Sequence, residues 1–216
     1  MRIALIHALK HSPAPTEAAF AALWPEARQM HLLDTSLSAD LAEAGGITPA
    51  MTERFLTLAR YAAGTGARGI LFTCSAFGPC IEACAAELAP LPVLKPNEAM
   101  IAEVAAKHRR VGLLATFPGT LASMPAEFPP EVEVVPMLAE GALAALDAGA
   151  AAEHDRLVEE AARRLAPQVE AIALAQFSIA HCADRVAAAT GLPVYTTPAS
   201  AVARLRSLLG ASAPAL

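Results

Sequence analysis

The stretches Arg2-Ile3-Ala4-Leu5-Ile6 and Arg110-Val111-Gly112-Leu113-Leu114 are near copies of one another, and their reading decides the fold. Each is a short apolar run behind an arginine, the pattern of a strand buried on both faces. A second pair follows in the same order. Ile70-Leu71-Phe72-Thr73-Cys74-Ser75 reads like Leu174-Ala175-Gln176-Phe177-Ser178 when the serines are superposed. A third pair, Leu91-Pro92-Val93-Leu94-Lys95-Pro96 and Leu192-Pro193-Val194-Tyr195-Thr196-Thr197-Pro198, keeps nearly the same spacing. The chain therefore reads as a duplicated half, with a cleft expected between the copies. With the serines superposed, Cys74 falls opposite Phe177.

Working outward from these pairs, β-like runs are expected at about residues 2–8, 29–33, 69–74 and 92–95, and again near 110–116, 132–137, 171–177 and 193–196. Alanine-rich segments with helical periodicity lie between them, at 48–63, 97–107, 150–166 and 199–209 among others, several opening on Thr, Pro or Asn as helices do. Apolar strands separated by helices predict an α/β fold of two similar, doubly wound parallel-sheet subdomains related by pseudo-twofold symmetry. Residues 1–96 plus 199–216 are expected to form the first and 97–198 the second. In such sheets ligands bind beyond the carboxyl ends of the strands, here just after His7, Thr73, Thr116 and Gln176.

The 216 residues are 55% hydrophobic and 17% charged, enough for a substantial core. A formal charge of −5 and 5% aromatic residues provide neither a basic stripe nor a stacking platform, so nucleic acid is not an expected partner. No stretch reaches the roughly 18 to 20 apolar residues that span a bilayer, and His7, Lys10 and His11 interrupt any signal-like run near the N-terminus. A cytoplasmic protein without membrane partners is expected. Four cysteines, at 74, 80, 84 and 182, are expected as reduced thiols. Cys80 and Cys84 stand four apart, a spacing that serves core packing or a pair of metal ligands, with packing the preferred reading.

Cys74 stands where a strand ends and a helix is about to begin, with Pro79 suited to the first helical turn. A thiol at a helix N-terminus is expected to be acidified and so usable as a base or nucleophile near neutral pH. Thr116, Phe117, Gly119 and Thr120 occupy a corresponding strand end, and Ser75 and Ser178 follow the paired positions. Their hydroxyls and backbone amides provide candidate carboxylate or oxyanion contacts, or else simple N-caps. His7 and His11 flank the first strand end, where a solvated or hydrogen-bonded loop histidine is the simpler expectation than a ligand contact.

These residues carry a family resemblance. Phe72-Thr73-Cys74-Ser75 resembles the first cysteine motif of the aspartate/glutamate/hydantoin racemase superfamily, whose relatives include arylmalonate decarboxylase and maleate isomerase. Arg110-Val111-Gly112-Leu113-Leu114-Ala115-Thr116 resembles its central strand and the following threonine. The segments Gly141 to Asp147 and Gly191-Leu192-Pro193-Val194 extend the resemblance over most of the chain.

The resemblance implies cofactor-free, metal-free chemistry at the carbon next to a carboxylate, with two cysteines on opposite faces of the substrate. It makes Cys74 the catalytic thiol, and Ser75, Thr116, Phe117, Thr120, Gln176 and Ser178 the carboxylate or oxyanion contacts, with His7 and Phe177 as site walls. The second motif, usually Gly-Cys-Thr, reads Gln176-Phe177-Ser178 here, and phenylalanine moves no proton. Several activities stay open: a racemase or isomerase with a single cysteine, a one-cysteine decarboxylase of malonate-type acids, and a non-catalytic carboxylate binder. A thiol redox or zinc protein built on Cys74, Cys80 and Cys84 is a further alternative, and His181 or Cys182 is a candidate substitute for the missing thiol. The expected partner is a small carboxylic acid or amino-acid-like substrate, and the expected assembly a homodimer.

Overall fold

In the computed structural model, which describes residues 1–210, the near-copied runs become the central strands of two four-stranded parallel sheets. Strands β1 (Arg2–His7), β2 (Arg28–Leu33), β3 (Ile70–Phe72) and β4 (Val93–Leu94) take the order β2-β1-β3-β4. Strands β5 (Arg110–Ala115), β6 (Glu133–Leu138), β7 (Ala171–Leu174) and β8 (Val194–Thr196) take the order β6-β5-β7-β8. The duplication legible in the sequence is thus one topology used twice. The helices are α1 (Pro13–Leu23), α2 (Ser36–Ala44), α3 (Pro49–Gly64), α4 (Gly78–Glu87), α5 (Glu98–Ala105), α6 (Pro118–Ser123), α7 (Ala142–Asp147), α8 (Ala151–Leu165), α9 (Ala183–Thr190) and α10 (Thr197–Leu208). None of the described helices is long and apolar enough to cross a membrane.

The chain divides into two compact units, Met1–Pro96 with the segment from Ala201 onward, and Asn97–Ser200. Of the returning segment expected over 199–216, residues 211–216 lie outside the described residues. In the first unit, Ala4, Ile6, Ile70 and Phe72 on one face of the sheet pack with Leu37, Phe55, Ala59, Ala62, Ile81, Cys80 and Cys84 from the covering helices. The Phe55 ring stacks on Phe72 and tilts against Phe77, at centroid distances of 5.3 and 4.7 Å. Cys80 and Cys84 are fully buried in this core, and burial first, then the neighbouring Cys80, pushes the Cys84 thiol up to about 12. Leu205 of α10 lies against Gly69, where an added Cβ would stand 2.9 Å from its Cδ1.

In the second unit, Val111, Leu113 and Ala115 share one core with Met100, Ile101, Val104, Ala171 and Ala173. Leu114, Ile172 and Leu174 share the opposite core with Val158, Ala161, Ala162 and Leu165. Strand alternation puts Gly112 on that second face, beneath α8. A Cβ there would stand 2.6 Å from Leu165 Cδ2 and 2.8 Å from its Cγ, so the missing side chain is what lets the helix seat. Helix α8 buries His154, Val158, Ala161, Ala162 and Leu165 as one stripe, while its other faces carry Arg156 paired with Glu153 and Glu160.

Candidate active site

Strand registers determine which residues are duplicates. In the first unit Ile6 pairs with Phe72 and the Thr73 amide donates to the Ile6 carbonyl, at 3.0 Å. In the second, Leu114 pairs with Leu174 and the Ala175 amide donates to the Leu114 carbonyl, at 2.9 Å. The outer ladders agree, since Asp34 N bonds His7 O as Ala139 N bonds Ala115 O. Thr73 therefore duplicates Ala175, and Cys74 duplicates Gln176. Each of the two stands with extended backbone just before a 3-10 turn, over Ser75–Phe77 and Phe177–Cys182 respectively. This corrects the serine superposition that set Cys74 opposite Phe177: the second segment is offset by one residue, and one residue of slip in a strand reverses the face. Phe177 is a buried turn residue, 2% exposed.

Cys74 is partly exposed, whereas Cys80, Cys84 and Cys182 are buried. Burial pushes its thiol above the ordinary range, opposed by the neighbouring Ala76 backbone and Ser38 hydroxyl. The acidified thiol expected from the sequence is not found. The reason is local: the 3-10 turn separates Cys74 from α4, which starts at Gly78 with Phe77 as its N-cap, so the sulfur does not sit at the end of the helix dipole.

His7 departs from its expected loop setting too. It is the last residue of β1 and fully buried, with Nδ1 2.9 Å from Thr73 Oγ1 and Nε2 3.0 Å from His31 Nδ1. The two imidazoles stack at 5.1 Å, and Glu17 reaches His31 Nε2 at 3.7 Å. Burial, helped by His31, lowers the His7 pKa to about 4, so near neutrality the ring is uncharged. A chain of polar groups thus runs from Glu17 through His31 and His7 to the residue preceding Cys74. Sequence reasoning missed His31; the signal was a histidine inside the expected 29–33 strand.

At the matching strand end of the second unit, Gln176 Oε1 accepts from Thr116 N at 2.6 Å, from Thr116 Oγ1 at 3.0 Å and from Phe117 N at 3.3 Å. The amides expected to cradle a carboxylate are already turned to the glutamine oxygen. With no ligand present the Thr116 and Phe117 donors engage this oxygen, while the Phe117 ring is exposed. Gln176 is left with its Nε2 hydrogens to offer a ligand. Thr120 and Ser178 are buried, and Ser178 Oγ has no hydrogen-bond partner among the described residues.

Cys182 and His181 are turned to Asp155 near the start of α8, with Sγ at 3.4 Å and Nε2 at 2.8 Å from Oδ1. Burial and then the Asp155 carboxylate push the Cys182 thiol far above the ordinary range, so it is no ready base. Asp155 itself, despite burial that alone would raise it, is held below its usual value by hydrogen bonds from His154, His181 and Cys182.

The family model described as Asp/Glu/Hydantoin racemase matches residues 16–205. The chain belongs to that racemase family. Solved structures agree on the fold. Allantoin racemase from Klebsiella pneumoniae superposes with a TM-score of 0.72 at 22% identity, covering 97% of this chain and 88% of the other. Glutamate racemase from Francisella tularensis subsp. tularensis SCHU S4, in complex with D-glutamate, gives 0.73 at 15% identity, with 97% and 81% covered. Picrophilus torridus aspartate racemase gives 0.72 at 12% identity, with 97% and 94% covered. Comparison with curated protein sequences returned no match. Within the racemase family this chain carries Cys74 just after β3 and a glutamine at its duplicate after β7.

Proposed function

We propose that the protein is a cofactor-independent, racemase- or isomerase-like enzyme acting at the carbon next to a carboxylate, with Cys74 as its acid/base group. Membership of the racemase family supports the reaction class. The observation that carries the residue assignment is Cys74 itself, a partly exposed thiol at the end of β3 whose raised pKa is moderated by the Ala76 backbone and the Ser38 hydroxyl. Those donors stabilise a thiolate once it forms. The thiolate takes the α-proton, the electron pair passes into the carboxylate as an enediolate, and the resulting thiol returns a proton to carbon. Ser75, Thr116, Phe117, Thr120, Ser178 and the Gln176 amide nitrogen are the proposed carboxylate or oxyanion contacts.

The test is proton exchange. In deuterated water the protein should wash deuterium into the α-carbon of amino acids, hydantoins or other α-substituted acids, and Cys74→Ser should abolish it. Absence of exchange across those classes would overturn the reading.

A second reading follows from the burial that keeps Cys74 protonated at rest. A neutral thiol suits a proton donor, as in decarboxylation of a malonate-type acid. One C–C bond breaks, carbon dioxide leaves, the electron pair enters the remaining carboxylate, and the Cys74 proton moves to the α-carbon. Water then reprotonates the thiolate. Release of carbon dioxide from substituted malonates, lost in Cys74→Ser, would favour this reading over exchange.

A further inference from the structure

In the second unit two pairs of adjacent residues, His154-Asp155 near the start of α8 and His181-Cys182 at the end of the 3-10 turn, bring four ligand-type atoms within 4.8 Å of one another. We propose that His154 Nδ1, Asp155 Oδ1, His181 Nε2 and Cys182 Sγ form a binding site for a zinc-class divalent transition metal. Four of the separations are 3.5 Å or shorter, three of them from Asp155 Oδ1. Sγ lies 3.4 Å from Oδ1 and 3.5 Å from His181 Nε2, while each imidazole nitrogen lies 2.8 Å from Oδ1. Tetrahedral zinc with bonds of about 2.0–2.1 Å to N and O and about 2.3 Å to S sets its ligands roughly 3.3–3.6 Å apart. The two sulfur distances already match, and the two nitrogens need to move outward by about half an ångström to meet that geometry.

The donor set selects the metal. One thiolate, two imidazoles and one carboxylate suit zinc and its late first-row neighbours and disfavour magnesium and calcium, which take oxygen ligands. Orientation is already fixed in part, since the His154 and His181 rings stack at 5.3 Å with planes 24° apart. Burial and access are divided between them: His154 is fully buried and Cys182 1% exposed, while the His181 side chain is 45% exposed and leaves a path from solvent. Four protein ligands leave no open position, so the site is structural, tying the turn that follows Gln176 to α8. Binding releases the Cys182 proton as the S–metal bond forms.

These residues take no part in the proposed acid/base chemistry, so the test reads metal rather than turnover. The full chain, stripped with a chelator, is titrated with Zn²⁺ and separately with Co²⁺. One equivalent of zinc should bind, raising the melting temperature by roughly 5–10 °C at saturating metal. The cobalt form should show tetrahedral d–d bands and a thiolate-to-cobalt charge-transfer band. Cys182→Ser should abolish the charge-transfer band, and the surface variant His181→Gln should weaken binding by tenfold or more while a Cys80→Ala/Cys84→Ala variant keeps both. No stoichiometric uptake by the unaltered chain overturns the proposal. So does a charge-transfer band that survives Cys182→Ser, which would assign the metal to other cysteines.

Discussion

Gln176 Oε1 lies 2.6 Å from the Thr116 amide nitrogen, and that single oxygen also takes the Thr116 hydroxyl and the Phe117 amide. A side chain at the end of β7 thereby closes the loop after β5, at the strand position that duplicates Cys74.

Removing that oxygen leaves buried donors without a partner. Gln176→Ala is expected to destabilise the protein by about 2 kcal/mol, the usual penalty for orphaned buried donors. Gln176→Glu, which keeps the acceptor, should lose less. Urea denaturation of the two variants checks the ranking, and equal stabilities would remove the structural role assigned to the amide.

Because Cys74 duplicates Gln176 and not Phe177, the proposed reaction puts the candidate position for a second thiol at 176. Gln176→Cys is expected to raise racemisation relative to α-proton exchange on the order of 10²-fold, the gain typical of a positioned acid/base group. Phe177→Cys, placed one residue along, should give no such gain. Chiral chromatography of product beside deuterium incorporation measures both, and a gain confined to Phe177→Cys would restore the serine superposition.

His7 makes stability depend on pH. Its folded pKa is about 4 against an ordinary 6.5, so between those values the unfolded chain binds a proton that the folded protein refuses. Stability is at its full value above about pH 6.5, falls as pH drops toward 4, and gains no further loss from this group below that. The drop is of the order of 3 kcal/mol at most for a shift of this size. His7→Gln should flatten the slope of unfolding free energy between pH 6.5 and 4; an unchanged slope would place the titration elsewhere.

Cys74 is the partly exposed thiol of the four, yet burial raises its pKa. Iodoacetamide should therefore modify Cys74 first in the folded protein, slowly at neutral pH and with a rate still climbing above pH 9, because the thiolate is the reacting form. Ser38→Ala, which removes a hydroxyl that holds the thiol's pKa down, should shift that profile further to alkaline pH. Peptide mass mapping across pH reads it, and rapid alkylation at pH 7 would contradict the assignment.

Gly112→Ala places a methyl carbon 2.6 Å from Leu165 Cδ2 in a fully packed core. A loss of about 1–3 kcal/mol is expected from overpacking. Adding Leu165→Ala should make the two changes less costly together than their separate losses predict, and strict additivity in thermal unfolding would deny the contact.

The elements themselves were legible because their signals are local. The runs at 2–8 and 110–116 became β1 and β5, and the periodic stretches at 48–63 and 150–166 became α3 and α8, each within a residue or two at their ends. Cys74 stood out for the same reason, as a chemically distinctive residue at a readable strand tip. The partners that set its surroundings did not stand out. His7 meets Thr73 66 residues away, Gln176 meets Thr116 60 residues away, and His181 meets Asp155 26 residues away. No period or motif marks such pairs.

By itself the sequence determined that this is a twice-used α/β plan of the racemase family, since strand and helix periodicity and the order of near-copied segments are properties of neighbouring residues. Only the tertiary structure decided that Gln176 duplicates Cys74, that the Cys74 thiol is raised and not acidified, and that His154, Asp155, His181 and Cys182 converge. Ladder register, burial and the meeting of side chains are set by which distant segments pair, and a one-residue offset between similar-looking segments is invisible until their hydrogen bonds are traced.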